Sequence, residues 1–462
     1  MSVPSHVIVV GEDAPLWLAA SALHAALRRS GVTVEVVELP SRIAAAHVYV
    51  TQPSLEALHN RLGIQEGKVL RATRGSFALG QKFVDALGEQ PPFFHAYGAC
   101  GVPIEGQQFL AFWLKAHRHG LPAGFEDFSL TAAAALQGRM LLPDADTEIF
   151  GRTDYGYHLP AAAYARSLKA LVRQDGVPVH EADAVQVERD GDGAILALAL
   201  GDGRRVTGDL FVDASASALL AADAGWEDWT FAADRVLHAR GPRMQALPAY
   251  GQVAAVDWGW ASLHPCQDAT HVIAAFAAAD EARVLQSLPV LCGFAPTEVT
   301  IATSRPGRQA NAWVRNCVAI GGAAARFDPL HGVDLLAVQL GLVHLLSRFP
   351  VDADFAAERH DYNQAMAGLF GRLRDFQSAH YRLARYAGGF WDAARAREIS
   401  PELAHKIQTF AARGELAMLE EESFLLDSWQ ALFLGHGLIP DSWAPAIDRT
   451  SPDTMRAEFR RV

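Results

Sequence analysis

The chain has 462 residues, half of them apolar and a fifth charged, with a formal net charge of −12 at pH 7. That length holds one large α/β domain with a subdomain, or on the order of two or three domains, and the composition is that of a globular protein with a substantial core. The acidic balance excludes a nucleic-acid surface and a polybasic membrane patch, because both need clustered Lys and Arg.

In chain order, His6 to Gly11 is a short apolar strand ending in glycine, Pro15 to Leu27 reads as a helix, and Val32 to Glu38 as a second strand closing on an acid. That is the order of a dinucleotide-binding βαβ unit, with Gly11 at the tight turn and Glu38 placed to accept from a ribose hydroxyl. The fingerprint G-x-G-x-x-G is incomplete, since Asp13 and Leu16 stand at its second and third glycines. The carboxylates of Glu12 and Asp13 would repel a diphosphate that the helix N-terminus attracts.

Pro53 to Leu62 reads as a short helix, and Ser76 to Val84 as one strand by its period of two, with Phe77, Leu79, Gln81 and Phe83 on one face. Tyr157 to Val172 is expected as a helix, followed by strands at Ala184–Glu188 and Ala194–Leu200 with Asp-Gly turns between them. Leu210 to Asp213 is a buried strand, Gly251 to Phe276 is β structure, and Val318 to Gly322 is a strand ending in the pair Gly321 and Gly322. Asp334 to Phe349 is a long helix, and the pattern from Asp352 to about Leu434 is almost wholly helical. The expectation is an α+β arrangement on a Rossmann-like, α/β start. An N-terminal unit of residues 1–350 would carry substrate-facing strands at about 76–130 and 230–315, and residues 351–462 would form a helical C-terminal region. The four cysteines lie far apart, the N-terminus lacks a signal-peptide pattern, and Leu335 to Leu346 is too short and too polar to span a bilayer, so a cytoplasmic protein with free thiols is expected.

Several segments together resemble the flavin-dependent tryptophan halogenase family, in an FAD-binding fold of the flavin-monooxygenase type, over nearly the whole chain. Trp17-Leu-Ala-Ala20 looks like that family's first helix, and Gly208 to Ala214 is similar to the strand reaching its flavin. Ile320 to Leu330 resembles the segment running under the isoalloxazine, which implies that Gly321, Gly322, Asp328 and Pro329 adjoin the cofactor. Ser428-Trp429, Gly435-His-Gly437 and Pro440 match the C-terminal pattern, and Trp258-Gly-Trp260 matches two positions of the family's Trp-x-Trp-x-Ile-Pro box. In purely structural terms, tryptophans two apart on a strand put both rings on one face as a bulky wall, either core packing or, as the resemblance implies, Trp258 and Trp260 lining the substrate pocket. The resemblance implies FAD, reduced by a separate flavin reductase, and a small aromatic substrate such as an indole.

The chain departs from the family where the chemistry lies. The family's lysine, which holds hypohalous acid, follows a phenylalanine; here Ala78 follows Phe77, so a substrate-pocket wall of Phe77 and Ala78 replaces it. Lys82 is the remaining cation, and on one continuous strand it shares a face with residue 78 at about 13 Å. The family's Glu-Pro-Leu-Glu-Ser-Thr reads here Asp328-Pro-Leu-His331-Gly332-Val333. His331 at the glutamate position is therefore the candidate acid–base residue, against the plainer reading of a histidine in a loop. The loop that gates the flavin has lost its glycines between Ala44 and Gln52.

Asp213 and Asp328 either contact ribityl hydroxyls or cap their loops. Arg305 and Arg308 flank Pro306-Gly307 and either bind an anion or lie on the surface, and His117 and His119 have the wrong spacing for one helical face, so no metal is expected. Two readings stand: a halogenase-fold protein that no longer halogenates, binding a small aromatic molecule or serving as a partner subunit, or a working FAD-dependent monooxygenase or halogenase. A homodimer, or a homologous subunit completing the site, stays open.

Overall fold

A computed structural model of the chain describes residues 4–144, 152–220, 225–352 and 354–461. The apolar run at the N-terminus forms the strand His6–Gly11, buried from Val7 onward because it lies inside a parallel sheet covered on both faces. Among the described residues that sheet has the order Trp313–Val314, Cys317–Ala319, Leu210–Ala214, His6–Gly11, Thr33–Glu38 and Val179–Glu181, parallel except at its first pair. The helix Asp13–Leu27 packs against the helices Ala161–Gln174 and Asp334–Ser347, closing one face.

A second, seven-stranded sheet has the order Thr297–Thr303, Arg235–Pro242, Ala269–Phe276, Gly259–Pro265, Gly251–Val256, Gly80–Asp85 and Phe93–Ala96. It is antiparallel except where Gly251–Val256 runs parallel to Gly80–Asp85. A small sheet of Val48–Val50, Gly156–Pro160 and Ser76–Ala78 pairs segments from three separate parts of the chain. The 28-residue helix Ala356–Leu383 then runs along both layers, with Gly389–Arg395, Pro401–Arg413 and Leu426–Gly435 completing the C-terminal part. Among the described residues no helix is long and apolar enough to cross a membrane.

Four expectations from sequence are corrected. The first helix begins at Asp13, two residues earlier than Pro15, and Asp13 adopts φ 61°. This left-handed conformation is the one a glycine would supply at this position of the fingerprint, and aspartate is among the few other residues that tolerate it. Tyr157-His158-Leu159 is a strand, not the start of a helix. Leu159 precedes Pro160, which disfavours helical backbone before it, so the helix starts at Ala161. That strand is bonded on both edges and buried throughout, which erased the alternation that would have marked it.

Ser76 to Val84 is two strands in two different sheets, broken at Leu79, whose N–H bonds to Ala249 O at 2.6 Å. Gly80 lies where a Cβ would run into the carbonyl of His95. Finally, Trp258 and Trp260 do not share a face, because Trp258 sits in the turn before Gly259–Pro265. Its Nε1 donates to Ser287 Oγ at 3.0 Å on the helix Glu281–Cys292, whereas Trp260 Nε1 donates to Tyr381 Oη at 2.8 Å on the long helix.

The break at Gly80 is testable. Gly80→Ala should lower stability by roughly 2 kcal/mol or more, since both the backbone and a packed carbonyl oppose a side chain there. Urea unfolding of the two proteins would measure it; an unchanged midpoint would contradict the packing described.

Candidate functional site

The C-terminal edge of the parallel sheet is where open α/β folds place ligands. Gly11 is required there, because a Cβ would collide with the backbone of Ala214, its partner across the ladder. Next to it Glu12 is 4% exposed, and its carboxylate accepts from Ala216 N–H at 3.0 Å and faces Arg42 Nε at 3.4 Å. Burial pushes its carboxyl above the ordinary range. Asp13 accepts from Ser41 Oγ and from Arg42 N–H, so the two acids tie the first turn to the loop after Thr33–Glu38. The fingerprint turn thus carries two carboxylates of its own where the pyrophosphate of a dinucleotide would have to sit. These residues do not fit FAD in the ordinary way.

Glu38 is held by Lys169 Nζ, 2.7 and 2.6 Å from its two oxygens, on the wall of an open cleft of about 530 Å³ lined also by Ser41, Asp183 and Asp202. Asp213 caps its own loop: its oxygens accept from Ser215 N–H and Oγ at 3.0 and 2.6 Å and from Leu220 N–H at 2.6 Å. Gly321 has φ 55° and abuts Pro15 and Val338, while Gly322 faces the Cα of Ala216. Together they bring the last parallel strand's exit against the first turn.

Asp328 is also buried and hydrogen-bonded, accepting from Leu330 N–H at 3.0 Å and from Tyr381 Oη at 2.9 Å. Tyr381 in turn accepts from Trp260, giving a line of three groups that joins sheet, helix and loop. Burial, only partly offset by these donors, pushes the Asp328 carboxyl up to about 6. Pro329 lies on a cavity of about 250 Å³ bounded by Tyr49, His238, Arg305, Arg326, Phe327 and Asp334.

The candidate catalytic residues are not brought together. His331 is 1% exposed, at φ 69°, and its two ring nitrogens have no hydrogen-bond partner among the described residues. Its ring packs on Phe376 (4.9 Å between centroids), His95 (5.5 Å), His380 (5.5 Å) and Phe83 (5.6 Å). Burial holds the imidazole well below its usual pKa, with His95 and His436 adding to the depression, so it is neutral at physiological pH. Lys82 neighbours Phe83 on the strand and so points to the opposite face, away from His331. Ala78 is fully buried opposite Gly156, and Phe77 packs against Tyr155 and Tyr157.

Sequence reasoning missed the other histidines around His331. His95, His380 and His436 are all buried, with His380 and His436 rings 3.2 Å apart at their nearest nitrogens. His380 follows Phe376 by four residues, and that helical spacing is the signal that would have put it on the inward face. Among the described residues no group of His, Cys, Asp and Glu is arranged to hold a metal ion.

Solved structures share this architecture. BrvH, a flavin-dependent halogenase from Brevundimonas sp. BAL3, matches with a TM-score of 0.92 at 31% identity, covering 99% of this chain and 95% of its own. Xcc4156, a flavin-dependent halogenase from Xanthomonas campestris, matches with the same TM-score at 28% identity and the same coverage. The fold is that of the flavin-dependent halogenases. Tryptophan 6-halogenase ThaL of Streptomyces albogriseolus is 27% identical over 98% of this chain and 93% of its own. The model of the tryptophan halogenase family matches residues 6–452, and the chain belongs to that family.

Two outcomes follow from the burial. His331→Phe, which removes two unpartnered nitrogens among aromatic rings, should raise stability by roughly 1–2 kcal/mol in urea unfolding; a loss would mean that the ring holds a polar partner. Asp328 has a folded pKa raised above its unfolded value, so its ionisation opposes folding and the stability it gives when protonated is lost as pH rises from about 4 through about 6. Asp328→Asn keeps the acceptor for Tyr381. It should raise the melting temperature by a few degrees at pH 8 and leave it nearly unchanged at pH 4; equal effects at both pH values would refute the assignment.

Proposed function

We propose that this chain is a halogenase-fold protein that does not itself halogenate, a binding homologue or partner subunit acting on a small aromatic molecule. The observation that carries the reading is the state of His331. The position that the family resemblance assigns to the glutamate beside the substrate holds a neutral imidazole sealed among Phe83, Phe376 and His380, beyond the reach of a reacting carbon. Ala78, at the lysine position, offers only a methyl group, and a methyl group neither donates a hydrogen bond nor forms an N-halo adduct. Lys82 does not substitute for it, because it leaves the strand on the other face.

The pair Glu12 and Asp13 supports the same conclusion from the cofactor side. A diphosphate entering the first turn would meet a buried carboxylate already bonded to Ala216 N–H, and the like charge would repel it. Two parts are proposed to divide the work: residues 1–350 hold both sheets, with the strands between residues 76 and 96 and between 235 and 303 facing the ligand, and residues 351–462 cover them.

A second reading is favoured by one feature. The close approach of Gly11 to Ala214, and the open cleft at Glu38, keep the room that an adenosine and its ribose need. On that reading the chain is an FAD-dependent monooxygenase or halogenase of an aromatic substrate, served by a separate flavin reductase.

Equilibrium titration with oxidised and then reduced FAD, followed by flavin absorbance and fluorescence, separates the two. The expected result is no perturbation of the flavin at concentrations of hundreds of micromolar in either redox state. Saturable binding with a shifted spectrum would overturn the first reading. Glu12→Gly combined with Asp13→Gly should then gain flavin affinity over the parent chain, in the same titration.

A further inference from the structure

A cavity of about 270 Å³ lies where the helix Ala161–Gln174, the end of the helix Glu66–Thr73 and the strand Ala269–Phe276 meet. It shares no residue with the cleft at Glu38 or the cavity at Pro329. Three arginines line it, Arg74, Arg166 and Arg240, against one carboxylate, Asp268, a local excess of positive charge in a chain of net charge −12. Asp268 is committed to Arg74, which holds it through Nε at 3.0 Å and Nη2 at 2.9 Å. The guanidinium of Arg240 has only Glu298, at 3.8 Å, and Arg166 has no hydrogen bond or ion pair among the described residues. Arg166 follows Ala162 by four residues and Ala163 by three, so it shares their helical face, and both alanines line the same cavity. Arg74 caps its helix at φ 59°, a left-handed position that glycine would take at less cost, so a charge is kept there against the preference of the backbone.

The same cavity holds a histidine of fixed tautomer. His271 lines it, is 2% exposed, and sits opposite Arg240 in the ladder of Arg235–Pro242 with Ala269–Phe276. Its Nδ1 lies 2.8 Å from Ala46 O, which can only accept, so Nδ1 carries the proton and Nε2 keeps a lone pair. No group among the described residues donates to Nε2. Burial, aided by Arg240, outweighs the bond to Ala46 and holds the imidazole below its usual pKa, so the lone pair persists at neutral pH. The surrounding loop is anchored in advance: Gln267 Nε2 donates to Leu70 O at 3.1 Å and to Gly75 O at 2.7 Å, and Gln267 N–H to Arg74 O at 2.9 Å. Arg74 and Asp268 are therefore placed before any ligand arrives, which lowers the ordering cost of binding.

A ligand here meets cationic donors and one group that can only accept. A carboxylate or a sulfate answers the guanidinium groups but brings no proton to His271 Nε2. A phosphate that still carries a proton brings both, oxygens that accept from arginine and a P–OH that donates to the imidazole. We propose that this cavity binds such a protonated phosphate group, of inorganic phosphate or a small phosphomonoester, with Arg166 and Arg240 on its oxygens and its P–OH donated to His271 Nε2. The volume of about 270 Å³ gives room for a phosphate and one small substituent against Ala162, Ala163 and Ala269. Because the cavity is separate from the first turn, phosphate binding here is independent of whether that turn admits a flavin.

The test is calorimetric titration of the full chain with sodium phosphate, sodium sulfate and phenyl phosphate at equal ionic strength, at about pH 6, where a phosphomonoester is half protonated. Phosphate should saturate the protein in the millimolar range or below, with sulfate weaker by on the order of tenfold, the weight of an acceptor left without a donor. Phenyl phosphate binding tighter than phosphate assigns the site to a monoester, and equal or weaker binding assigns it to free phosphate; both outcomes uphold the protonated phosphate as the ligand. Arg166→Met, at an exposed helix position, should weaken phosphate and sulfate alike by on the order of tenfold and leave the melting temperature unchanged. His271→Phe should bring phosphate down to the affinity of sulfate and leave sulfate where it was. Absence of saturation by phosphate, or equal affinities for phosphate and sulfate, would overturn the proposal without any variant having to fold. An unchanged phosphate affinity in Arg166→Met would overturn it too, since the anion would then be bound elsewhere.

Discussion

The pairing of His6–Gly11 with Leu210–Ala214 is the constraint on which the rest of the site depends. The two strands end level with one another, and the absence of a side chain at Gly11 lets the backbones close at that edge. Ile320 N–H reaches Asp213 O at 2.8 Å from the next strand, so three chain exits meet at one place. Once they meet, the first turn, the loop after Asp213 and the Gly321–Gly322 corner have little freedom, and whatever charge the turn carries becomes the charge of the cleft. Glu12 and Asp13 therefore matter more than two surface acids would. They reach Ala216, Ser41 and Arg42, and they supply from within the chain the negative charge that the helix end attracts.

That arrangement separates what a family fold conserves from what a site can do. The layers, the sheet order and the long C-terminal helix are held by burial, which does not depend on any single polar side chain at the site. Within that scaffold His331 is part of an aromatic core. Shared architecture with halogenases fixes the frame, and the charges and rings at the frame's edge decide the activity.

Much of this was legible in the sequence, and the failures have physical causes. The βαβ start, the short strands near 185–200 with their Asp-Gly turns, and the helix from Asp334 are all local patterns, and they stand where expected. Tyr157-His158-Leu159 misled because a strand bonded on both edges and buried on both faces reads as apolar without period. Ser76 to Val84 kept a clean period of two across a break, since Leu79 and Gly80 change sheets without changing alternation. The two tryptophans were placed on one face by spacing alone, but a turn at Trp258 sends the rings to different helices. Nothing local could gather His95, His331, His380 and His436, which come from four distant segments.

The strand order of the parallel sheet also governs how the chain is made. His6–Gly11 is the first strand of this sheet to leave the ribosome, and while the sheet's far side waits for Cys317–Ala319, its own second neighbour waits for Leu210–Ala214. Until then the apolar run Val7 to Val10 has one neighbour, Thr33–Glu38, and an unpaired edge, for the time needed to add roughly two hundred residues, on the order of ten seconds or more of synthesis. During synthesis, nascent chains of this fold therefore spend a long interval with an unpaired, adhesive strand edge, and escape from aggregation at that stage is set by chaperone access, not by the stability of the finished protein.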